Sequence, residues 1–266
     1  MTVYMLNITP ESNFLNNKEL IHGAISNKFS YFDINNSILS QNRIDIWQYS
    51  LNSIRVDQQN ILSESELARA SRFHFAKHQH RFTVAHVTKR LILSRYLENT
   101  NPNQLEFSEN KYGKPMLLNN PQLEFNLSHS GDLALLAIGK KYPLGIDLEF
   151  FSNRSYLDIG KNMFSSAEIN AISKVNSRLE ALTFFNIWSQ KEAFIKACGL
   201  GLVYPTDKFS VPHIQANKFP IIDLKTDTEW HITSFMPKIA CGGAICHRPQ
   251  INEIRYKILE DISALT

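Results

Sequence analysis

Short apolar or alternating runs along the chain predict β-strands where turn residues bound them. The runs are Ile44–Trp47, Leu133–Ile138, Leu144–Phe150, Phe209–Val211, Trp230–Phe235 and Ile239–Cys246. The second and third runs flank a short polar link, Lys140-Lys-Tyr-Pro143, and this arrangement predicts a β-hairpin.

Apolar positions spaced three and four residues apart predict helices in four places. Ser63 and Glu66 have the spacing of a capping box and precede an apolar stripe, so a helix should begin there. Further helices are predicted over about Phe82–Leu97, Ser165–Lys174 and Leu179–Cys198. The last is followed directly by a glycine, which is a common terminator of helices.

The order of these elements predicts the fold class and the division of the chain. Strands and helices are mixed without the regular strand–helix alternation of a parallel sheet, which favours an α+β fold. A boundary near Pro143–Leu144 divides most of the chain into an N-terminal half, residues 43–143, and a C-terminal half, residues 144–266. Residues 1–42 carry little periodicity and are interpreted as an N-terminal extension without an assigned role.

The amino-acid composition limits which classes of protein this chain can belong to. The 266 residues are 43% hydrophobic and 20% charged, which is typical of a soluble globular protein. A net charge of +3 is too small to predict a nucleic-acid or membrane partner. Three irregularly spaced cysteines favour a reducing compartment. With no signal-like or bilayer-length apolar run, we expect a cytoplasmic protein.

Two carboxylates lie in the apolar strand predicted at Leu144–Phe150. Asp147 and Glu149 flank Leu148, so the period of two places both on one face of the strand. Two convergent oxygen donors suit Mg²⁺, which keeps water and substrate phosphates as its other ligands. By itself, this motif is more typical of the solvated face of a half-buried strand.

A second pair of charges lies on the last predicted helix. Glu192 and Lys196 are one turn apart, with the glutamate on the N-terminal side. Such a spacing is usually a surface pair that stabilises a helix by a few tenths of a kcal/mol. The functional alternative makes Glu192 a third metal ligand and Lys196 a phosphate contact.

The segment Asn126-Leu-Ser-His-Ser130 also contains groups that could carry chemistry. Adjacent Ser and His side chains rarely face each other as a nucleophile and its base, which disfavours that function. His129 is therefore either a phosphate contact or a structural histidine.

The basic residues between Arg69 and Arg95 are interpreted as surface charges, since Arg81 and Arg90 are half a turn out of phase.

In order and spacing, these motifs resemble the Sfp-type 4′-phosphopantetheinyl transferases from about Ile44 to His247. The matching pieces are Leu62-Ser63 through Arg69–Phe73, Gly113-Lys-Pro115, Phe125-Asn-Leu-Ser-His-Ser130, Gly145-Ile-Asp-Leu-Glu149, Phe164-Ser-x-x-Glu168, and Trp188-x-x-Lys-Glu-Ala-x-x-Lys196 closing with Gly199-x-Gly201. Each short motif is weak evidence for the family by itself. Their occurrence together, in this order and at this spacing, is specific to it.

The resemblance implies two similar α+β halves in one monomeric chain, related by a pseudo-two-fold axis, with coenzyme A in the cleft between them. The family's Mg²⁺ ligands match Asp147, Glu149 and Glu192. Its coenzyme A contacts match Arg69 at the 3′-phosphate, Lys114 and Pro115 near the adenosine, Asn126 and Ser128 along the coenzyme, and His129 and Lys196 at the pyrophosphate.

The implied reaction is attack of a carrier-protein serine on the β-phosphorus of coenzyme A, which releases 3′,5′-ADP. Lys196 and His129 would stabilise charge, and Glu192 is the candidate base, directly or through a metal-bound water, with Glu168 as an alternative. The carrier could be an acyl, peptidyl or polyketide carrier. A non-catalytic coenzyme A or carrier-binding module and a Mg²⁺ phosphohydrolase are the alternatives, and the intact carboxylates and Lys196 disfavour the module.

Overall fold

The structure is a computed structural model, and it describes residues 29–31, 38–52, 61–97, 100–152, 156–260 and 265. Most of the predicted N-terminal extension, residues 1–42, lies outside these ranges. In the described part the helices are α1 (Glu64–Ser71), α2 (Ala76–Arg95), α3 (Tyr156–Gly160), α4 (Ser166–Lys174) and α5 (Ser177–Cys198). None of these helices is long and apolar enough to cross a bilayer.

The boundaries of α1, α4 and α5 follow the predicted signals, whereas α2 begins at Ala76, six residues before the predicted Phe82, without a side-chain cap. Ser63 and Glu66 form the expected capping box at α1, and Ser165 and Glu168 form a second one at α4. Gly199 ends α5 with a φ of +67°, in the left-handed region that favours glycine.

The strands form two main sheets and a small ribbon. Their bounds are β1 (Ser30–Tyr31), β2 (Arg43–Ser50), β3 (Phe107–Glu109), β4 (Pro115–Leu117), β5 (Leu123–Ser130), β6 (Leu133–Lys140), β7 (Leu144–Phe150), β8 (Phe219–Ile222), β9 (Glu229–Lys238), β10 (Cys241–His247) and β11 (Glu253–Ile258). The first sheet has the order β1-β11-β2-β6-β5, and the second has the order β7-β10-β9-β8. β3 and β4 pair with each other.

The core has four layers, with two sheets packed face to face and a helix on the outer face of each, which fits two similar α+β halves. On β2, Trp47 and Tyr49 face α2, whereas Ile44 and Ile46 face the second sheet. Residues of β7 and β10 complete that apolar layer between the two sheets, and α5 covers the outer face of the second sheet. Each half is thus a sheet with one long helix on its outer face.

The C-terminal strand returns to the first sheet. β11 pairs in parallel with both β1 and β2, so the sheet built mainly by the N-terminal half is completed by residues of the predicted C-terminal half. The fully buried carboxylate of Asp45 anchors it: Oδ2 accepts a hydrogen bond from Lys257 Nζ at 2.8 Å and another from the Tyr96 hydroxyl at 2.8 Å.

The hairpin predicted around Lys140–Pro143 is wrong. β6 pairs with β2 and β5, whereas β7 pairs with β10 in the other sheet. Because Ile146 and Leu148 bury their side chains between the two sheets, β7 crosses over instead of folding back beside β6. The short link is therefore the crossing between the two halves.

The strand predicted at Phe209–Val211 is also wrong. The Phe209 carbonyl accepts a hydrogen bond from Lys191 Nζ at 2.7 Å, and the Val211 N–H donates to Glu168 Oε1 at 2.8 Å. These buried side chains satisfy the backbone of an extended loop, so no partner strand is needed.

Candidate active site

The site lies where the edge strands of the two sheets meet. Side chains that alternate along β5 reach across to β7. Ser128 Oγ donates a hydrogen bond to Asp147 Oδ1 at 2.9 Å, and Ser130 Oγ donates to Glu149 Oε2 at 2.7 Å. The period of two on β5 therefore matches the period of two on β7, and it orients both carboxylates.

Asn126 continues this ladder toward the start of β7. Its Oδ1 accepts a hydrogen bond from the Ile146 N–H at 2.8 Å, which satisfies a buried backbone donor on the edge of the second sheet. At the other end, Ser130 Oγ also accepts from the Phe150 N–H at 3.1 Å. The two sheets are thus joined along the site by polar side chains as well as by apolar packing.

Helix α5 brings a cation to the same place. Lys196 Nζ lies 2.6 Å from Asp147 Oδ1 and donates a hydrogen bond to Ser128 Oγ at 3.0 Å. Asp147 is buried, whereas the Lys196 side chain is 28% exposed. The ammonium therefore reaches the buried Asp147 while the Lys196 side chain stays partly exposed to solvent. The carboxylate it contacts is that of Asp147, on a strand, and not that of Glu192 on its own helix.

The carboxylates lie near enough to influence one another. Burial and the charge of Asp147 raise the pKa of Glu192 to about 7; Glu149 adds to the increase and Lys196 opposes it. Asp147 Oδ2 is buried and has no hydrogen-bond partner among the described residues. Three acidic side chains thus face one region that contains an unsatisfied oxygen.

A group of basic side chains lies beside these carboxylates. Burial lowers the pKa of His129, and the positive charges of Lys196 and Arg81 lower it further, although the residue retains an exposed surface. Arg81 Nε is buried without a hydrogen-bond partner in the described ranges. Arg81 thus offers a cationic donor without a protein acceptor beside two further basic side chains, an arrangement suited to an anion.

Both halves of the chain match models of one family. The model described as the 4′-phosphopantetheinyl transferase superfamily matches residues 143–246, and the model described as the N-terminal part of 4′-phosphopantetheinyl transferase matches residues 46–141. The 4′-phosphopantetheinyl transferase HetI of Nostoc sp. is 32% identical over 217 residues, which cover 79% of this chain and 90% of HetI.

The chain belongs to the 4′-phosphopantetheinyl transferase superfamily. Two further relatives are similar over shorter stretches. The 4′-phosphopantetheinyl transferase Sfp of Bacillus subtilis is 34% identical over 57% of this chain and 66% of its own length. The L-aminoadipate-semialdehyde dehydrogenase-phosphopantetheinyl transferase of Mus musculus is 26% identical over 64% of this chain and 61% of its own length.

The remaining residues predicted to contact coenzyme A lie around this transferase site in different ways. Arg69 is exposed, and its guanidinium lies 5.5 Å from the centre of the Phe82 ring. Pro115 begins β4 and is half-buried. Lys114 points between the two halves, and two backbone carbonyls accept hydrogen bonds from its ammonium. These three coenzyme contacts stay predictions.

Arg81 is the site residue that sequence reasoning missed. Its position half a turn out of phase with Arg90 predicts a surface charge. However, Arg81 shares a helix face with Ala85 and Thr88, both of which are buried. A basic residue on the same helix face as small residues expected to be buried is the sequence signal that could have identified Arg81.

Glu168 is not placed to act as the base. Its Oε2 accepts from the Ser165 N–H at 2.8 Å and lies 2.9 Å from Lys191 Nζ, and its Oε1 accepts from Val211 N–H. The side chain is 2% exposed, so this carboxylate joins α4 to α5 and to the loop at Val211. Its oxygens are already used by the fold, which removes the alternative to Glu192.

The residues fit a divalent cation by the chemistry of their donors. In the ranges that the structure describes, no group of three or more His, Cys, Asp and Glu side chains is arranged to hold a metal ion. The unpartnered Asp147 Oδ2 and the raised pKa of Glu192 nevertheless fit a hard cation, which would satisfy the first and relieve the repulsion behind the second.

Proposed function

We propose that this chain transfers the 4′-phosphopantetheine group of coenzyme A to a serine of an apo acyl, peptidyl or polyketide carrier protein, with Mg²⁺ as cofactor. The arrangement of Lys196, Asp147 and Ser128 supports the proposal most strongly, because it places a partly exposed cation at the seam between the halves. Membership of the transferase superfamily gives the reaction class.

In this proposal the pyrophosphate of coenzyme A lies against Lys196, His129 and Arg81, and the bonds of Lys196 to Asp147 and Ser128 hold its ammonium in place before the substrate arrives. Preorganised donors of this kind stabilise charge that develops during the reaction without a further cost of reorganisation. Asp147, Glu149 and Glu192 would hold Mg²⁺, which supplies neutralisation of negative charge on the two phosphates when it is bound.

The reaction forms a bond between the carrier serine oxygen and the β-phosphorus of coenzyme A. The bond from that phosphorus to the oxygen bridging the two phosphates breaks, and 3′,5′-ADP leaves with the electron pair. The serine proton must go to a base. Glu192 is our candidate, directly or through a water, because a carboxylate with a pKa of about 7 is suited to accept a proton near neutral pH. Lys196 stabilises the charge gathered by the leaving group.

The site draws on both halves of a single chain, so we propose that one copy suffices for transfer. The experiment is intact-mass measurement of several apo-carriers after incubation with the protein, coenzyme A and Mg²⁺. We expect a carrier to gain the phosphopantetheine mass only with both additions. Binding of coenzyme A without transfer to any carrier class would favour a binding module, and release of free phosphopantetheine without a carrier would favour a phosphohydrolase.

A further inference from the structure

The turn between β3 and β4 is held in one conformation by Asn110. Its Oδ1 accepts hydrogen bonds from the Tyr112 and Lys114 N–H groups, both at 2.9 Å. The backbones of Asn110 and Lys114 pair as well, and Gly113 takes a φ of +84°. The Lys114 side chain therefore leaves this turn from a fixed starting point.

Two side chains of this turn reach into the other half. Lys114 Nζ donates hydrogen bonds to the Leu144 carbonyl at 3.0 Å and to the Ala197 carbonyl at 3.1 Å. Asn110 Nδ2 donates to the Gly199 carbonyl at 2.8 Å. Leu144 begins β7, and the other two acceptors lie at the end of α5.

Two of these acceptors, the carbonyls of Ala197 and Gly199, lie at the end of a helix. The last carbonyls of a helix have no N–H of their own helix to accept from, and a cation near them interacts favourably with the helix dipole. Burial lowers the pKa of Lys114, as is usual for an ammonium enclosed by protein. With two of its three N–H groups used by carbonyls, this ammonium is poorly placed to bind a phosphate.

We infer that Lys114 is a positioning residue that joins the end of α5 to the start of β7, instead of a coenzyme A contact through its ammonium. The inference rests on the proposed function of the site. Ala197 follows Lys196 directly, and Leu144 precedes Asp147 by three residues on the same strand. Lys114 thus holds the two elements whose side chains must meet at the pyrophosphate.

A positioning role for Lys114 predicts that its loss lowers turnover without weakening the binding of coenzyme A. Misplacing reacting groups by about 1 Å can cost about 10²-fold in rate. Lys114→Met keeps the length and apolar stem of the side chain and removes its hydrogen bonds. We expect kcat to fall at least about tenfold, while the Kd for coenzyme A, measured by calorimetry, changes less than about threefold. Lys114→Arg should restore little of the lost kcat, because a planar guanidinium does not replace a compact ammonium between two carbonyls.

Lys111→Met is the matched control. Lys111 lies in the same turn but is exposed, with its ammonium 4.9 Å from the centre of the Tyr112 ring, so we expect neither kcat nor Kd to change. Hydrogen exchange of the last-turn amides of α5 gives a readout that needs no carrier. Exchange should become faster in Lys114→Met and stay unchanged in Lys111→Met.

Three results would overturn the inference. One is a tenfold or larger rise in the Kd for coenzyme A with kcat retained at saturation, which would make Lys114 a ligand. Another is a lower melting temperature with kcat retained, which would make it merely structural. The third is unchanged exchange at the end of α5. If Lys114→Met does not fold, Asn110→Ala, which removes the neighbouring bond to Gly199, should show the same changes. Absence of transfer by the wild type would refute the proposed function and leave the exchange test intact.

Discussion

Gly145 lies directly against the carbonyl oxygen of Ala193. A Cβ built on Gly145 would be 2.2 Å from that oxygen and 2.3 Å from the Ala197 N atom, much closer than real Cβ contacts come. The backbone of α5 therefore touches β7 with no side chain between them. This close approach is what allows Lys196 Nζ to come within 2.6 Å of Asp147 Oδ1.

Gly145→Ala should consequently push α5 away from β7. Overpacking of this kind typically costs about 1–3 kcal/mol of stability, and a shift of about 1 Å should lower kcat about 10²-fold. The free energy of unfolding and kcat measured on the same preparation test this. Gly139→Ala is the control, because its Cβ would come too close only to the end of the Leu144 side chain and would meet no backbone atom at less than 3.9 Å. Retained kcat in Gly145→Ala would contradict the importance of this contact.

Lys196→Ala should change both activity and stability. Loss of a preorganised donor typically lowers kcat by about 10²–10³. The buried Asp147 would also lose its cation, which we expect to cost roughly 1–3 kcal/mol of unfolding free energy near neutral pH. The double variant Lys196→Ala with Asp147→Asn should recover stability, as measured by denaturant unfolding, and remain inactive. An active single variant would remove Lys196 from the proposed mechanism.

Ser130→Ala should weaken metal binding. Ser130 Oγ donates to Glu149 Oε2, and partners that orient metal ligands typically contribute about 10–100-fold in metal affinity. We expect the Kd for Mg²⁺, measured by calorimetry with coenzyme A present, to rise by about tenfold or more. Ser108→Ala on β3, outside the site, should leave the Kd unchanged. Equal Mg²⁺ affinity in both variants would show that Glu149 is not a ligand that Ser130 orients.

A buried charged cluster joins α1 to α2. Glu66 Oε1 lies 2.9 Å from His86 Nδ1 and 3.2 Å from Lys89 Nζ, and Glu66 Oε2 accepts from Arg90 Nε at 2.6 Å. Burial lowers the pKa of His86 to about 4; the positive charges of Lys89 and Arg69 add to the decrease, and Glu66 opposes it. The unfolded chain takes up a proton at His86 near pH 6.5, whereas the folded protein does not.

Stability should therefore fall as the pH is lowered from about 6.5 to 4. For His86 the loss has a ceiling of about 3 kcal/mol, since each pKa unit is worth about 1.4 kcal/mol. His247, whose pKa burial also lowers to about 4, contributes in the same window. His86→Gln should flatten the dependence of unfolding free energy on pH, and His247→Gln should flatten it further. An unchanged slope in His86→Gln would mean that His86 is protonated in the folded state.

Local patterns in the sequence correctly predicted those features that depend on one strand or one helix alone. The period of two placed Asp147 and Glu149 on one face, and the structure bears this out because Ile146 and Leu148 are buried on the opposite face. The partner of Lys196 could not be read in this way. Its position depends on how closely α5 approaches β7, and helical spacing alone indicated Glu192.

Other features depend on contacts between distant segments. The polar link after β6 has the same local signals whether the chain turns back or crosses to another sheet, so the hairpin prediction was wrong. The serines of β5 were identified with the coenzyme-lining segment, but their bonds to β7 arise only when the two sheets meet. Arg81 was missed for the same reason, since its position beside His129 is set by the packing of α2.

The return of β11 to the first sheet has a consequence for the order of synthesis. A ribosome delivers the chain from its N-terminus, so β2 emerges more than 200 residues before its parallel neighbour β11, as the separation of Asp45 and Lys257 by 212 residues records. Until β11 is released, Asp45 lacks the Lys257 ammonium and has only the guanidinium of Arg43 beside it, and this edge of β2 has no partner strand. The first half cannot reach its native state during translation, and a gene cut after Pro143 would encode a fragment with an open sheet edge.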